Sequence, residues 1–182
     1  MAVIVYAESW NGSFKKTTFE AVSYASQLGQ KLGEEVIAVA IANTDDASVL
    51  GNYGAQRVLT ISNDSMKTFN NQAYANAIVN VANHEGSNTI VVSNTNNGKS
   101  ITPIIAAKIE AALITNVLDL PSSVNPFTIK RKTFSSKAYA FFSTEKNKKV
   151  ISITPNSFGV HETSGSPTTE SFEYSPSDSD QR

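Results

Sequence analysis

Cysteine is absent from all 182 residues. That excludes disulfide staples, thiolate nucleophiles, cysteine-held iron–sulfur clusters and cysteine zinc sites. Histidine is nearly absent too, at two residues, and neither His84 nor His161 belongs to a spaced carboxylate cluster. A metal site is therefore not expected. Excess charge is missing: the formal net charge is -1, with no electrostatic footprint for nucleic acid or anionic membrane. No apolar run approaches the roughly 20 residues that span a bilayer. The chain opens on Ala2-Val3-Ile4-Val5-Tyr6-Ala7 with no basic leader before it, so the expected location is the cytoplasm of a bacterium. No serine stands in a G-x-S-x-G elbow, and no G-x-G-x-x-G follows the first apolar run.

Hydrophobic residues make up 40% and aromatics 9% of the chain, enough for one α/β domain with a substantial core. Four short, β-branched apolar runs, Ala2–Ala7, Val36–Ala42, Arg57–Ile61 and Thr89–Ser93, are separated by helix-like segments. Unbroken apolar runs suit parallel strands covered on both faces. The expected architecture is an α/β three-layer sandwich. In the first helix Thr17 is placed to cap and Glu20, three residues on, to reach back, with Gly33 as the stop. A further helix is expected over 70–84, and another after Gly98 with Ile101, Ile105, Ile109 and Ala112 on one stripe. Beyond Leu113 the pattern changes, and antiparallel strands are expected at Phe127–Thr133, Ala138–Phe142 and Lys149–Thr154. The basic residues around them, Lys130-Arg131-Lys132 and Lys146 to Lys149, read as solvated edges and turns. Residues 1–160 form the expected domain and 161–182, rich in Ser, Thr, Pro and Asp, a tail or linker; Phe172 and Tyr174 alternate as a short edge strand would.

One stretch invites a chemical reading. "SNTNNGKSIT", Ser93 to Thr102, follows an apolar run and ends like a phosphate-binding G-x-x-x-x-G-K-[ST] loop. Ser93 stands where the first glycine is required, however, and the one weak candidate for a magnesium-holding acid is Asp119, after Val117-Leu118. A magnesium-dependent phosphoryl-transfer site is not expected, and no catalytic set is identifiable.

The same segments, read in order, resemble the N-terminal domain of the electron transfer flavoprotein alpha subunit. "VIVYAE" (3–8) is similar to the family's first strand ending in Ala-Glu. "TTFEAVSYASQLG" (17–29) is similar to its first helix and "YGAQRVLTI" (53–61) to a strand entry. "SNTNNGKSITPIIAAKIEAALITNV" (93–117) resembles a Gly-[RK]-[DS]-x-x-Pro segment, "KRKTFSSKAYAFF" an arginine-bearing strand pair and "KVISITPNSFG" the ending. The resemblance implies a Rossmann-like (adenine nucleotide alpha hydrolase-like) sheet. It implies a scaffold and subunit-interaction domain, not an enzyme. FAD would be held by a further domain of the same subunit and not by this chain alone. The implied partners are that flavin domain, a beta subunit, donors such as the acyl-CoA dehydrogenases of fatty acid β-oxidation, and a membrane quinone oxidoreductase. Ile104, Asn116 and Thr154 stand where the family often has charged residues. The residues expected to meet a ligand or neighbouring domain are Asn94, Thr95, Asn97, Gly98 and Lys99. The other reading is a small adenine-nucleotide-binding module using those loops together with Ser9 and Asn11, a site of the kind this architecture places outside strand C-termini.

Overall fold

The computed structural model describes residues 1–135 and 137–181. Its strands in chain order are β1 (Ala2–Tyr6), β2 (Ser9–Trp10), β3 (Ser13–Phe14), β4 (Glu35–Ile41), β5 (Arg57–Ile61), β6 (Thr89–Ser93), β7 (Ala112–Val117), β8 (Ser123–Val124), β9 (Phe127–Thr133), β10 (Ala138–Thr144), β11 (Lys149–Ile153) and β12 (Thr168–Ser171). Three helices join them: α1 (Lys16–Leu32), α2 (Asn71–Glu85) and α3 (Asn96–Ile109). The large sheet runs β10-β9-β7-β11-β6-β1-β4-β5-β12, with β8 paired to β9. Every pairing from β7 across to β12 is parallel; those made by β9 are antiparallel.

The apolar runs explain why helices lie on both sides. In β1, Ile4 and Tyr6 join Ile37, Val39, Ile78, Val81, Ile101 and Ile105 under α2 and α3. Val3 and Val5 point the other way and pack with Val36, Val91, Ile151, Tyr24 and Leu28 under α1. Alternate side chains of one strand thus feed two separate cores. The result is the expected three-layer, mostly parallel, Rossmann-like sandwich.

Three details differ from the sequence expectation. β11 is parallel rather than antiparallel, and it enters the middle of the sheet between β6 and β7. Its run Val150-Ile151-Ser152-Ile153 is wholly buried, as a central strand requires. β7 is an additional parallel strand, and Ala112 belongs to it instead of to the stripe of α3. In α1 the cap is Lys15, whose N–H donates to Thr18 Oγ1 at 3.4 Å, so Thr17 and Glu20 form no capping pair. Glu20 is buried and turned toward the segment after β11. Its carboxylate accepts from the backbone N–H groups of Asn156 (2.8 Å), Phe158 (3.2 Å) and Gly159 (2.7 Å).

The segment after residue 160 lies against the body as far as Asp180. Thr163 N donates to Asn52 O at 2.6 Å, β12 pairs with β5, and Phe172 and Tyr174 pack on the α2–α3 core. Asn76 of α2 then donates to Asp180 Oδ1 at 2.6 Å.

One ion pair gives the fold an acid-sensitive clasp. Arg57 holds Glu85 in a two-pronged grip, both contacts at 3.0 Å, joining β5 to the end of α2. That grip lowers the Glu85 carboxyl below its usual 4.5. A depressed carboxyl contributes stability that is full above the unfolded value and lost as pH falls through the folded one. Glu85→Gln should therefore cost about 1 kcal/mol at neutral pH and nothing at pH values where the carboxyl is protonated. Urea titrations at several pH values check this; an equal loss at all of them would refute it.

Candidate functional site

The chain leaves β1 in one direction to build β4 and β5, and returns across it to build β6. This reversal opens a crevice between the β1 and β6 loops at the carboxyl edge of the sheet, where ligands of open α/β sheets bind. "SNTNNGKSIT" forms one wall of it.

On the β1 side, Asn11 (φ 50°) and Gly12 (φ 83°) make a two-residue turn joining β2 to β3. Left-handed conformations at both positions match the primed turns that fit twisted hairpins. The hairpin is tied down from below: Thr44 N donates to Gly12 O at 2.8 Å, and Phe14 N to Asp45 Oδ2 at 3.0 Å. Trp10, directly before this turn and opposite Ser13, is 61% exposed.

On the β6 side, Thr95 caps α3, its Oγ1 accepting from Gly98 N at 3.1 Å. The same hydroxyl donates to Glu8 Oε2 at 2.7 Å, closing the crevice floor. Partial burial pushes the Glu8 carboxyl up, against the pull of hydrogen bonds from Thr95 and Asn97. Glu8 thus places a carboxylate of the protein's own beside the N-terminus of α3, where the helix dipole favours a negative charge. A phosphate arriving there would meet a like charge. Since folding raises the Glu8 carboxyl, burying its charge is a cost above the ordinary glutamate range. Glu8→Gln, which keeps an acceptor for Thr95, is expected to raise the melting temperature at pH 7, with the gain fading as pH falls below that range. Scanning calorimetry across pH checks it, and a loss at pH 7 would contradict it.

Gly98 is required by packing. A Cβ there would lie 1.9 Å from the carbonyl oxygen of Ser93. Only glycine lets α3 start this close to the end of β6. Asn94 is turned into the sheet: it donates to Asn116 Oδ1 at 2.8 Å and accepts from Ser152 Oγ at 2.9 Å. β7 bulges here, where its register with β11 shifts between Ile151 and Ile153, and Asn116 takes a left-handed conformation (φ 56°). Lys99 stands exposed on the first turn of α3.

Of the residues singled out in the sequence, the structure brings Thr95 and Asn97 together with Glu8, Trp10, Lys15 and Thr18 around a groove of about 440 Å³. A neighbouring groove of about 650 Å³ takes Ser9, Asn11 and Asn97, adding Asn43, Asn63 and Tyr74 from beyond β4 and β5. Asn94, Gly98 and Lys99 line neither. Asp119 follows β7, which β11 separates from β6, so it does not face α3 as a magnesium-holding acid would; its backbone carbonyl accepts from the Tyr24 hydroxyl at 2.9 Å. Sequence reasoning passed over Glu8. Its signals were an acidic residue closing a wholly apolar run and its place at the end of the "VIVYAE" segment.

At two of the positions where the resemblance implies charge, Asn116 is spent on Asn94 and Ile104 packs on the α2–α3 core. The Thr154 hydroxyl is buried without a partner among the described residues. Among those residues there is no cluster of acids and histidines that could hold a metal ion, and no helix long and apolar enough to cross a membrane.

The chain is similar to known proteins over most of its length. The chain is 29% identical over 181 residues to the electron transfer flavoprotein subunit alpha of Bacillus subtilis (strain 168), covering 97% of this chain and 55% of that protein. It is 26% identical to the corresponding subunit of Syntrophomonas wolfei, covering 88% and 50%. It is 24% identical to the acryloyl-CoA reductase electron transfer subunit beta of Anaerotignum propionicum, covering 86% and 43%. The chain therefore spans about half the length of these curated relatives. The family model for the electron transfer flavoprotein domain matches residues 3–177, from the first residues of β1 to beyond β12, and the chain belongs to that family.

Proposed function

We propose that this chain is the N-terminal scaffold and subunit-interaction domain of an electron transfer flavoprotein alpha subunit. The observation that carries this reading is the match of residues 3–177 to the family domain, at about half the length of alpha-subunit relatives. In this reading FAD is held by a separate part of the subunit. The present domain and a beta subunit form the base on which that part rests. Electrons pass from dehydrogenases, acyl-CoA dehydrogenases among them, through the flavin to a quinone oxidoreductase, all on the cytoplasmic side. The chemistry is the cofactor's, and the domain contributes positioning without a catalytic set of its own. The Glu8–Thr95 floor of the crevice is, in this view, structural.

The test is association. Co-expressed with the beta subunit of its source organism, the chain should co-purify with it and show no flavin absorbance when purified alone. A chain that associates with no beta subunit, even when joined to its flavin domain, would overturn the reading. The groove of about 650 Å³ at the carboxyl edge favours a second reading, a small adenine-nucleotide-binding module. The Glu8 carboxylate beside the α3 terminus counts against it. That reading requires a rise in melting temperature with millimolar AMP or ATP, and a flat response would dispose of it.

A further inference from the structure

The chain holds two Asn-Gly pairs, Asn11-Gly12 and Asn97-Gly98. Both asparagines line the groove of about 650 Å³. Asparagine followed by glycine carries a chemistry of its own, because no side chain on the glycine crowds the approach of its backbone nitrogen. That nitrogen attacks the side-chain amide carbon of the asparagine. The new N–Cγ bond forms, the Cγ–Nδ2 bond breaks, and ammonia leaves with the proton that the backbone nitrogen gives up. Water then opens the resulting cyclic imide. Cleavage of its Cγ–N bond yields aspartate, and cleavage of the other C–N bond yields isoaspartate. Water is the only reagent consumed.

The fold treats the two pairs differently. Asn97 is half-buried in the first turn of α3, and the attacking nitrogen there is already engaged: Gly98 N donates to Thr95 Oγ1 at 3.1 Å. To reach the Asn97 side chain it would have to give up that cap and unwind the start of α3, where Gly98 is wedged on the Ser93 carbonyl. Asn11 is exposed, in the two-residue turn between β2 and β3. The Gly12 N–H makes no backbone hydrogen bond among the described residues; the ties on Gly12 run through its carbonyl, which accepts from Thr44 N at 2.8 Å and Asp45 N at 3.2 Å. β2 and β3 are two residues long, and so short a ladder opens locally at little cost.

We propose that Asn11 is a site of spontaneous deamidation, and that the fold confines the reaction to this turn by holding Gly98 N on the Thr95 cap. The inference does not depend on the subunit role. Its consequence falls on the crevice. Either product adds a negative charge to a chain of net charge -1, on a wall that is neutral at Ser9, Asn11 and Asn97. Aspartate tolerates a left-handed backbone much as asparagine does, so that product keeps the turn. Isoaspartate carries an extra methylene in the main chain, for which a two-residue turn has no room. It breaks the pairing of Ser9 with Phe14 and of Trp10 with Ser13, and so moves the exposed indole. Fresh and aged molecules therefore differ in charge and shape at the same groove.

The experiment keeps the purified chain for days at about pH 8 and about 37 °C, then digests it with trypsin and weighs the fragments 1–15 and 68–99, which contain the two sites. The fragment with Asn11 should gain about 1 Da, at a rate about tenfold or more above that of Asn97, with fragment ions assigning each gain to its residue. In about 6 M urea, where the cap on Gly98 is lost, the two rates should come within about threefold of each other. Isoaspartyl methyltransferase should label the aged native chain, and Asn11→Gln should remove both the label and the gain over 1–15. A native chain in which Asn11 stays intact for as long as it takes to react in urea overturns the inference. So does one in which Asn97 reacts as fast as Asn11. Each readout is a mass at a named residue, so either failure leaves the proposed function standing.

Discussion

Glu20→Ala is expected to lose about 3 kcal/mol or more of unfolding free energy. The carboxylate is buried, and it receives three backbone N–H groups from the turn after β11, two of them in residues with left-handed backbone (Asn156, φ 60°; Gly159, φ 90°). A hydrogen bond to a charged group contributes roughly 1.5–3 kcal/mol, and a stranded buried donor costs about 1–3. The three are not additive, since the freed turn can admit water. For a chain of this length 3 kcal/mol corresponds to roughly 6–12 °C in Tm. Glu20→Gln, which keeps one oxygen and no charge, should fall between. The effect should also be local. The amides of Asn156, Phe158 and Gly159 would exchange faster, and Phe158 would loosen from Tyr24, on which it packs edge-on at 5.1 Å. A loss below about 1 kcal/mol in urea titrations would show that the turn holds without its carboxylate.

Gly98→Ala should be nearly as damaging, for a different reason. The new methyl would fall 1.9 Å from the Ser93 carbonyl oxygen; its place is fixed by the helix backbone and the carbonyl is itself backbone, so neither can swing aside. The start of α3 has to lift away from β6, stretching the Thr95 cap and the Glu8 contact. Such overpacking costs about 3 kcal/mol. Gly33→Ala is the natural comparison: nothing lies within 4 Å of its added Cβ, and the only penalty is a left-handed backbone at φ 67°. That costs roughly 1–2 kcal/mol. Denaturant midpoints of the two variants separate steric exclusion from conformational strain. Equal losses would mean that the β6–α3 junction relaxes easily.

The parallel core was legible because a strand buried on both faces has to be apolar at every position. Arg57–Ile61 and Thr89–Ser93 could be placed to the residue, and Gly33 as a helix stop, because its left-handed backbone is a local requirement. What escaped depends on partners far away in sequence. Val150–Ile153 reads as a buried strand, but nothing local says that its neighbours are β6 and β7. Glu20 looked like half of a capping pair because its true partners lie some 136 residues further on. The pairing of β9 with β10 that collects Lys130, Lys132, Tyr139 and Phe141 on one face is invisible until the hairpin is formed. Of the crevice, the sequence showed the glycine and the threonine but not why they were needed. Gly98 is required by the carbonyl of Ser93, five residues earlier, which leaves no room for a Cβ.

The placement of β11 bears on the order in which this protein can assemble. A nascent chain that has emerged only as far as β10 has two finished pieces, the β6-β1-β4-β5 slab and the β7–β10 unit, with an empty slot between them. Only when Lys149–Ile153 arrives do the pieces become one sheet, since β11 alone bonds to both. The strand is a keystone, and the β7–β10 unit is attached to the rest of the sheet through it.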